Sequence, residues 1–185
     1  MTKEMDLILL LFEGHDLYSS KHSQKTSLLA EKLGKELSIS NQNLSLLKTG
    51  ALLHDIGKLM LPHDVLNKPA KLDTVEKEIV KEHTEIGANL LKDAEYDKKI
   101  IEIVKYHHEW WNGTGYPAGL KEDEIPLMAQ IVAIASSYDV MTSPKIYTSL
   151  KSREEALEEL NEYKGIQFSP KLVEKFIKII NEDKR

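Results

Sequence analysis

The sequence predicts an all-α fold, a single globular helical domain, on three observations. Apolar residues recur every three or four positions through most of the 185 residues, most of these runs open on a capping signal, and no stretch alternates as a half-buried strand would. Residues 23–37 carry Leu28, Leu29, Leu33 and Leu37 at helical spacing, and 38–43 then supplies poor helix formers. Ser40 or Asn41 can cap the next helix, whose Leu44, Leu47, Ala51 and Leu53 lead into His54 and Asp55. Gly57 is the expected C-terminal stop of that helix. Pro62 and Pro69 bracket an irregular connection, because proline disfavours helix continuation. Asp73 and Glu76 form a capping box. The helix they open is expected to carry Ile79, His83, Ile86 and Leu90 on one face.

Residues 97–109 predict a further helix ending in His107 and His108. The stretch 110–126 is long and polar, which marks a functional loop rather than a connector. A more apolar helix over 127–141 is broken by Pro144. Ser152 with Glu155 is a second capping box, and Ser169-Pro170 opens a terminal helix with the stripe Leu172, Val173, Phe176, Ile177 and Ile180. The expected organisation is an N-terminal helical segment over 1–20 and one main domain over 21–185.

Composition narrows the function. Apolar residues make up 41% and charged residues 30%, an ordinary balance for a folded domain. The net charge of −5 and pI near 5.8 leave no basic face for a nucleic-acid polymer. Without cysteine there is no disulfide, no thiolate nucleophile and no sulfur ligand. The apolar run at 7–12 is six residues long, far short of the roughly 20 a membrane span needs. It also lacks the basic flank of a secretory signal, so a cytoplasmic protein is expected. That run can pack on the core or pair with a second copy or another protein.

His54-Asp55-Ile56-Gly57-Lys58 is the most informative fragment, because His22, His83, His107 and His108 accompany it. A histidine-aspartate pair alone is weak evidence: His15-Asp16 and His63-Asp64 are further instances, assigned to the surface. As structure alone, His54 would be a helix C-terminal histidine favoured by the dipole, and His83 a satisfied core histidine. Five histidines and a carboxylate together argue for metal. Imidazole and carboxylate donors suit Fe, Mn, Zn or Ni better than Ca or Mg. The donor count exceeds one ion, whereas two ions about 3.5–4 Å apart can share these ligands if Asp55 bridges. Such a pair yields a hydroxide nucleophile at neutral pH and clamps a phosphoryl group, the parts that phosphoester hydrolysis needs. Lys58, three residues after Asp55, can set a positive charge beside the phosphate.

The chain resembles the HD-GYP branch of the HD phosphohydrolase superfamily. Residues 54–58 look like its namesake motif and Asn112-Gly113-Thr114-Gly115-Tyr116-Pro117 like its GYP loop, within a similarity running from His22 to Phe176. The resemblance implies hydrolysis of cyclic di-GMP with two divalent metal ions, Fe or Mn. His22, His54, Asp55, His83, His107 and His108 match metal ligands, and Asp55 and Lys58 the catalytic pair. Gly113, Gly115, Tyr116 and Pro117 match the loop shaping the site, and Asp139 and Lys145 match positions of substrate contact. Three positions depart from the pattern. Ser136 stands where a ligand aspartate is usual, Tyr18 where members with a third metal have glutamate, and Gln130 where arginine is usual. A second reading therefore stays open, a catalytically impaired domain acting as a cyclic di-GMP sensor or protein-interaction module, and a third, hydrolysis of another phosphoester.

Overall fold

The computed structural model describes residues 17–143 and 150–182, with side chains from Lys21 onward. Its helices are α1 (Leu17–Glu36), α2 (Asn41–Leu53), α3 (His63–Leu66), α4 (Thr74–Lys81), α5 (His83–Asp93), α6 (Lys98–Tyr106), α7 (Leu127–Thr142), α8 (Arg153–Glu162) and α9 (Pro170–Glu182). Two 3-10 turns, Ile56–Met60 and Glu122–Glu124, join them. Among the described residues, β pairing is confined to two isolated bridges, so the all-α expectation holds. No described helix is long and apolar enough to cross a membrane.

α7 forms the centre: residues 129–135, apolar except for Gln130, are all buried, as expected of a predominantly apolar helix. α1 packs against α2 and α7, while α6 lies on α5 and α2. α8 and α9 close the far side with Ala156, Leu157, Leu160, Leu172, Val173, Phe176 and Ile180. Each fully buried Leu, Ile or Phe contributes about 1.5–3 kcal/mol. A smaller cluster comprises Leu53, Ile56, Leu91, Ile100 and Val104.

Several local expectations are corrected. α1 runs through residue 20 without a break. Leu28, on the same helix, is exposed. Between Pro62 and Pro69 the chain makes one helical turn, α3, on which His63 and Asp64 are exposed as expected. The helix opened by the Asp73–Glu76 capping box ends at Lys81; Glu82 closes α4 and leads directly into α5. That offset turns the buried face to His83, Thr84, Gly87, Ala88 and Leu91 and leaves Leu90 exposed. α6 stops at Tyr106, before the histidine doublet. Residues 7–12, His15-Asp16, Pro144 and Lys145 lie outside the described residues.

Gly57 is no helix stop, since α2 ends earlier, at Leu53 with His54 as its C-cap. It lies in the Ile56–Met60 turn, where a Cβ would come within 2.0 Å of the His83 carbonyl oxygen and 2.7 Å of the Gly87 nitrogen. Only glycine lets these two backbones approach so closely. The contact brings Asp55 beside the start of α5.

Candidate metal centre

Three histidines reach the site from helix ends by one device. His54 follows α2, His83 follows α4 and His107 follows α6, and each Nδ1 donates to the carbonyl three residues earlier. The distances are 2.8 Å to Ala51, 2.6 Å to Val80 and 2.9 Å to Val104. Those carbonyls belong to the last helical turn, where intrahelical donors run out. Each ring thus caps a helix, carries its proton on Nδ1 and turns the Nε2 lone pair inward. His22, buried in α1, reaches the same end state differently. Its Nδ1 donates to Asp139 Oδ2 at 2.7 Å, and its Nε2 accepts from the Ser136 hydroxyl at 3.2 Å.

Asp55 lies between the rings. Its Oδ1 is 3.4 Å from His83 Nε2, and its Oδ2 is 3.4 Å from His54 Nε2 and 2.7 Å from Lys58 Nζ. Two donor groups result, Asp55 with His83, His107 and His108, and Asp55 with His22 and His54; within each group the ligand atoms lie within 4.8 Å of one another. Every sequence-expected ligand falls in one group or the other, and Asp55 falls in both. A metal fits this arrangement on a structural ground. His83 Nε2 and His107 Nε2 stand 3.4 Å apart, and with both protons on Nδ1 two lone pairs face each other, a repulsion that a cation between them would turn into attraction. The nitrogen and oxygen donors suit a first-row divalent ion.

The electrostatics keep the donors in ligand form. Burial holds His54 down to about 4 and also lowers His83, His107 and His108, so these imidazoles are neutral at ordinary pH. Burial alone would raise Asp55, but the Lys58 ammonium and the surrounding histidines outweigh it and hold the carboxyl well below its usual range. Asp139 is likewise lowered: burial opposes, and hydrogen bonds from His22 and Ser143 prevail.

Asp139 was expected to meet substrate; the structure places it against His22. The residue is 3% exposed, with Oδ2 held by His22 and Oδ1 by the Ser143 hydroxyl at 2.7 Å. Lys25 Nζ in turn donates to Ser143 at 2.9 Å. Asp139 therefore sits behind His22 and orients it. Its partner lies 117 positions away, which is why no local sequence signal revealed the role. Ser136 does lie at the site, beside His22.

The loop after the doublet forms one wall. Tyr116 stacks on His108 with ring centres 4.8 Å apart, its amide donates to the His108 carbonyl at 3.1 Å, and the Tyr116–Pro117 peptide is cis. Gly115 is required here because a Cβ would lie 2.2 Å from the Trp110 nitrogen. Burial raises the Tyr116 hydroxyl above its ordinary value, so it stays protonated. Lys81 Nζ lies over the same ring, 5.5 Å from its centre. Gly113 and Pro117 lie further along the loop, Gly113 at a turn with positive φ. Glu109, a charged residue, is buried at the root of this loop.

The sequence profile of the HD domain family matches residues 11–172. A cyclic di-GMP phosphodiesterase of Thermotoga maritima is 37% identical over 182 residues, covering 96% of this chain and 49% of that protein. A 3'3'-cGAMP-specific phosphodiesterase 2 of Vibrio cholerae is 34% identical, covering 88% of this chain and 31% of that protein. The chain thus spans about half or less of the length of these curated relatives. Among solved structures, Bd1817, a HDG"Y"P protein from Bdellovibrio bacteriovorus, matches with a TM-score of 0.69 at 26% identity, over 86% of this chain and 51% of that one. With the profile matched over most of its length and the motifs at 54–58 and 112–117 inside the match, this chain belongs to the HD domain family, in its HD-GYP branch.

Proposed function

We propose that the chain is the hydrolytic domain of a metal-dependent phosphodiesterase acting on cyclic di-GMP in the cytoplasm. One divalent cation, iron or manganese, would be held by Asp55, His83, His107 and His108, and a second by Asp55, His22 and His54. The observation that carries this reading is that two sets of imidazoles, all but His108 buried, reach one carboxylate. The names of the Thermotoga and Vibrio relatives, both phosphodiesterases of cyclic dinucleotides, support it.

A bound cation pair supplies water activation and neutralises the charge that develops on a phosphoryl group. The chain's own residues do the rest. Asp55 stays ionised and serves both donor groups at once. The carbonyl-capped histidines are oriented before any ligand arrives, so little reorganisation remains. Lys58, bonded to Asp55 at 2.7 Å, is within reach of a phosphate oxygen placed beside that carboxylate and can stabilise its charge. Gly113, Gly115, Tyr116 and Pro117 form the wall for the nucleotide, and Tyr116, kept neutral by burial, offers a hydroxyl rather than a phenolate.

The second reading, a cyclic di-GMP sensor with impaired turnover, is favoured by one observation: a serine hydroxyl, not a carboxylate, approaches His22 Nε2. Protein prepared without oxygen, loaded with Fe or Mn and incubated with cyclic di-GMP separates the two. Metal-dependent appearance of the linear dinucleotide or GMP supports the enzyme. Tight binding without turnover supports the sensor, and cleavage of other phosphoesters alone replaces the proposed substrate.

A further inference from the structure

Glu109 is 3% exposed, at the junction between the histidine doublet and the loop that carries Tyr116. It accepts three backbone N–H bonds. Oε1 takes those of Ala118 at 2.6 Å and Gly119 at 3.1 Å, and Oε2 takes that of Leu120 at 3.0 Å. Among the described residues these amides are its partners, and no lysine or arginine pairs with it. Buried carboxyl oxygens are costly to leave without hydrogen bonds, and here converging amides satisfy both. The loop is also pinned elsewhere. Tyr116 N donates to the His108 carbonyl, and Trp111 N and Asn112 N donate to the Gln167 and Ile166 carbonyls in the α8–α9 turn. Without Glu109, the stretch from Pro117 to Leu120 would lose its anchor; its far end would stay tied by Glu122 N to the Trp111 carbonyl, and Tyr116 would be left with one amide bond and its ring stacking against His108.

We propose that Glu109 is a positioning residue for substrate: by gathering the amides of Ala118, Gly119 and Leu120 it holds the returning half of the loop, and so keeps Tyr116 clamped on His108 as the wall that receives a cyclic dinucleotide. The inference rests on the phosphodiesterase reading, and it adds a specific requirement for two acceptor oxygens. Glutamine has the same shape, yet its amide nitrogen would face an N–H with another N–H. Either the Leu120 bond or the Ala118–Gly119 pair is then lost.

The test uses the full chain, loaded with Mn, as wild type, Glu109→Gln and Glu109→Asp. Each is measured for metal content, hydrogen exchange at residues 116–120 and steady-state kinetics on cyclic di-GMP. Glu109→Gln is expected to exchange faster at 118–120 and to raise KM about tenfold, with bound metal unchanged and kcat within about threefold. Glu109→Asp keeps both oxygens on a shorter stem and is expected to fall between the other two; it carries the test if the glutamine variant does not fold. The double variant Glu109→Gln with Tyr116→Ala should cost no more in KM than Tyr116→Ala alone, because both act on one wall. Unchanged exchange in the variants, faster exchange with unchanged KM, or additive effects in the double variant would overturn the proposal while wild-type turnover leaves the functional reading standing. Wild-type protein that neither binds nor cleaves cyclic di-GMP would overturn both.

Discussion

The two halves of the candidate metal centre are built from the same residue types but not in the same way. On one side His83 and His107 are fixed by main-chain carbonyls of the helices they terminate, His108 is stacked on Tyr116, and three imidazoles join Asp55. On the other, His54 is fixed in that way, but His22 depends on the side chain of Asp139, and a serine hydroxyl fills the space beside its Nε2. The first half is secured by backbone that any folded form of the chain must make. The second rests on a side-chain relay running through Ser143 to Lys25. The comparison teaches that donor count and support fall together, so the two halves are expected to bind cations with unequal strength.

The largest break is Asp55→Asn, which removes the group common to both halves. Loss of bound metal from both and a fall in kcat/KM of more than about 100-fold are expected, beyond the cost of an outer hydrogen-bond partner; metal analysis with single-turnover kinetics checks this. Asp139→Asn acts on one half only. It keeps the shape of the relay but replaces a charged acceptor with a neutral one, and about 10–100-fold weaker binding of the second metal equivalent is expected, with the first unaltered. Isothermal titration resolves the two equivalents. Ser136→Asp should sharpen the comparison in the opposite direction, adding an anionic donor beside His22 and tightening the second equivalent by about tenfold. No change in its occupancy or in rate would show that the serine is not the weak point.

The smallest effect is on the stability of metal-free protein against pH. His54 titrates at about 4 when folded, against 6.5 as its ordinary value. Between those values the unfolded chain binds more protons than the folded one, so stability is present above about 6.5 and is lost as pH falls toward 4. His83, His107 and His108 are lowered too and act in the same direction. The carboxyls of Asp55 and Asp139, also lowered, add a loss at still lower pH. A melting temperature that falls from pH 7 to pH 4 in metal-free protein, and that starts higher but falls more steeply in Mn-loaded protein because protons compete with the metal for the same imidazoles, is the expected result.

Much of this was legible because its signals are local. The capping boxes at Asp73–Glu76 and Ser152–Glu155 are both present, and the six expected ligands converge. What escaped depends on partners distant in sequence or on backbone contact. Gly57 reads as a helix stop until the His83 carbonyl is seen against it. The bond between Asp139 and His22 joins residues 117 positions apart and leaves no local signal. The break at Glu82 has no glycine or proline to announce it, yet it alone sets His83 at the start of a helix rather than on the face of one. Glu109 is one more charged residue in sequence, and its importance lies in three amides that fold back onto it.

The most direct test of the central claim, two cations sharing Asp55, is an anomalous-scattering map from crystals of the Fe- or Mn-reconstituted protein. The account predicts two peaks, one on either side of the Asp55 carboxylate, with the peak beside His83, His107 and His108 the fuller. A single peak away from Asp55, or none after reconstitution, would contradict it.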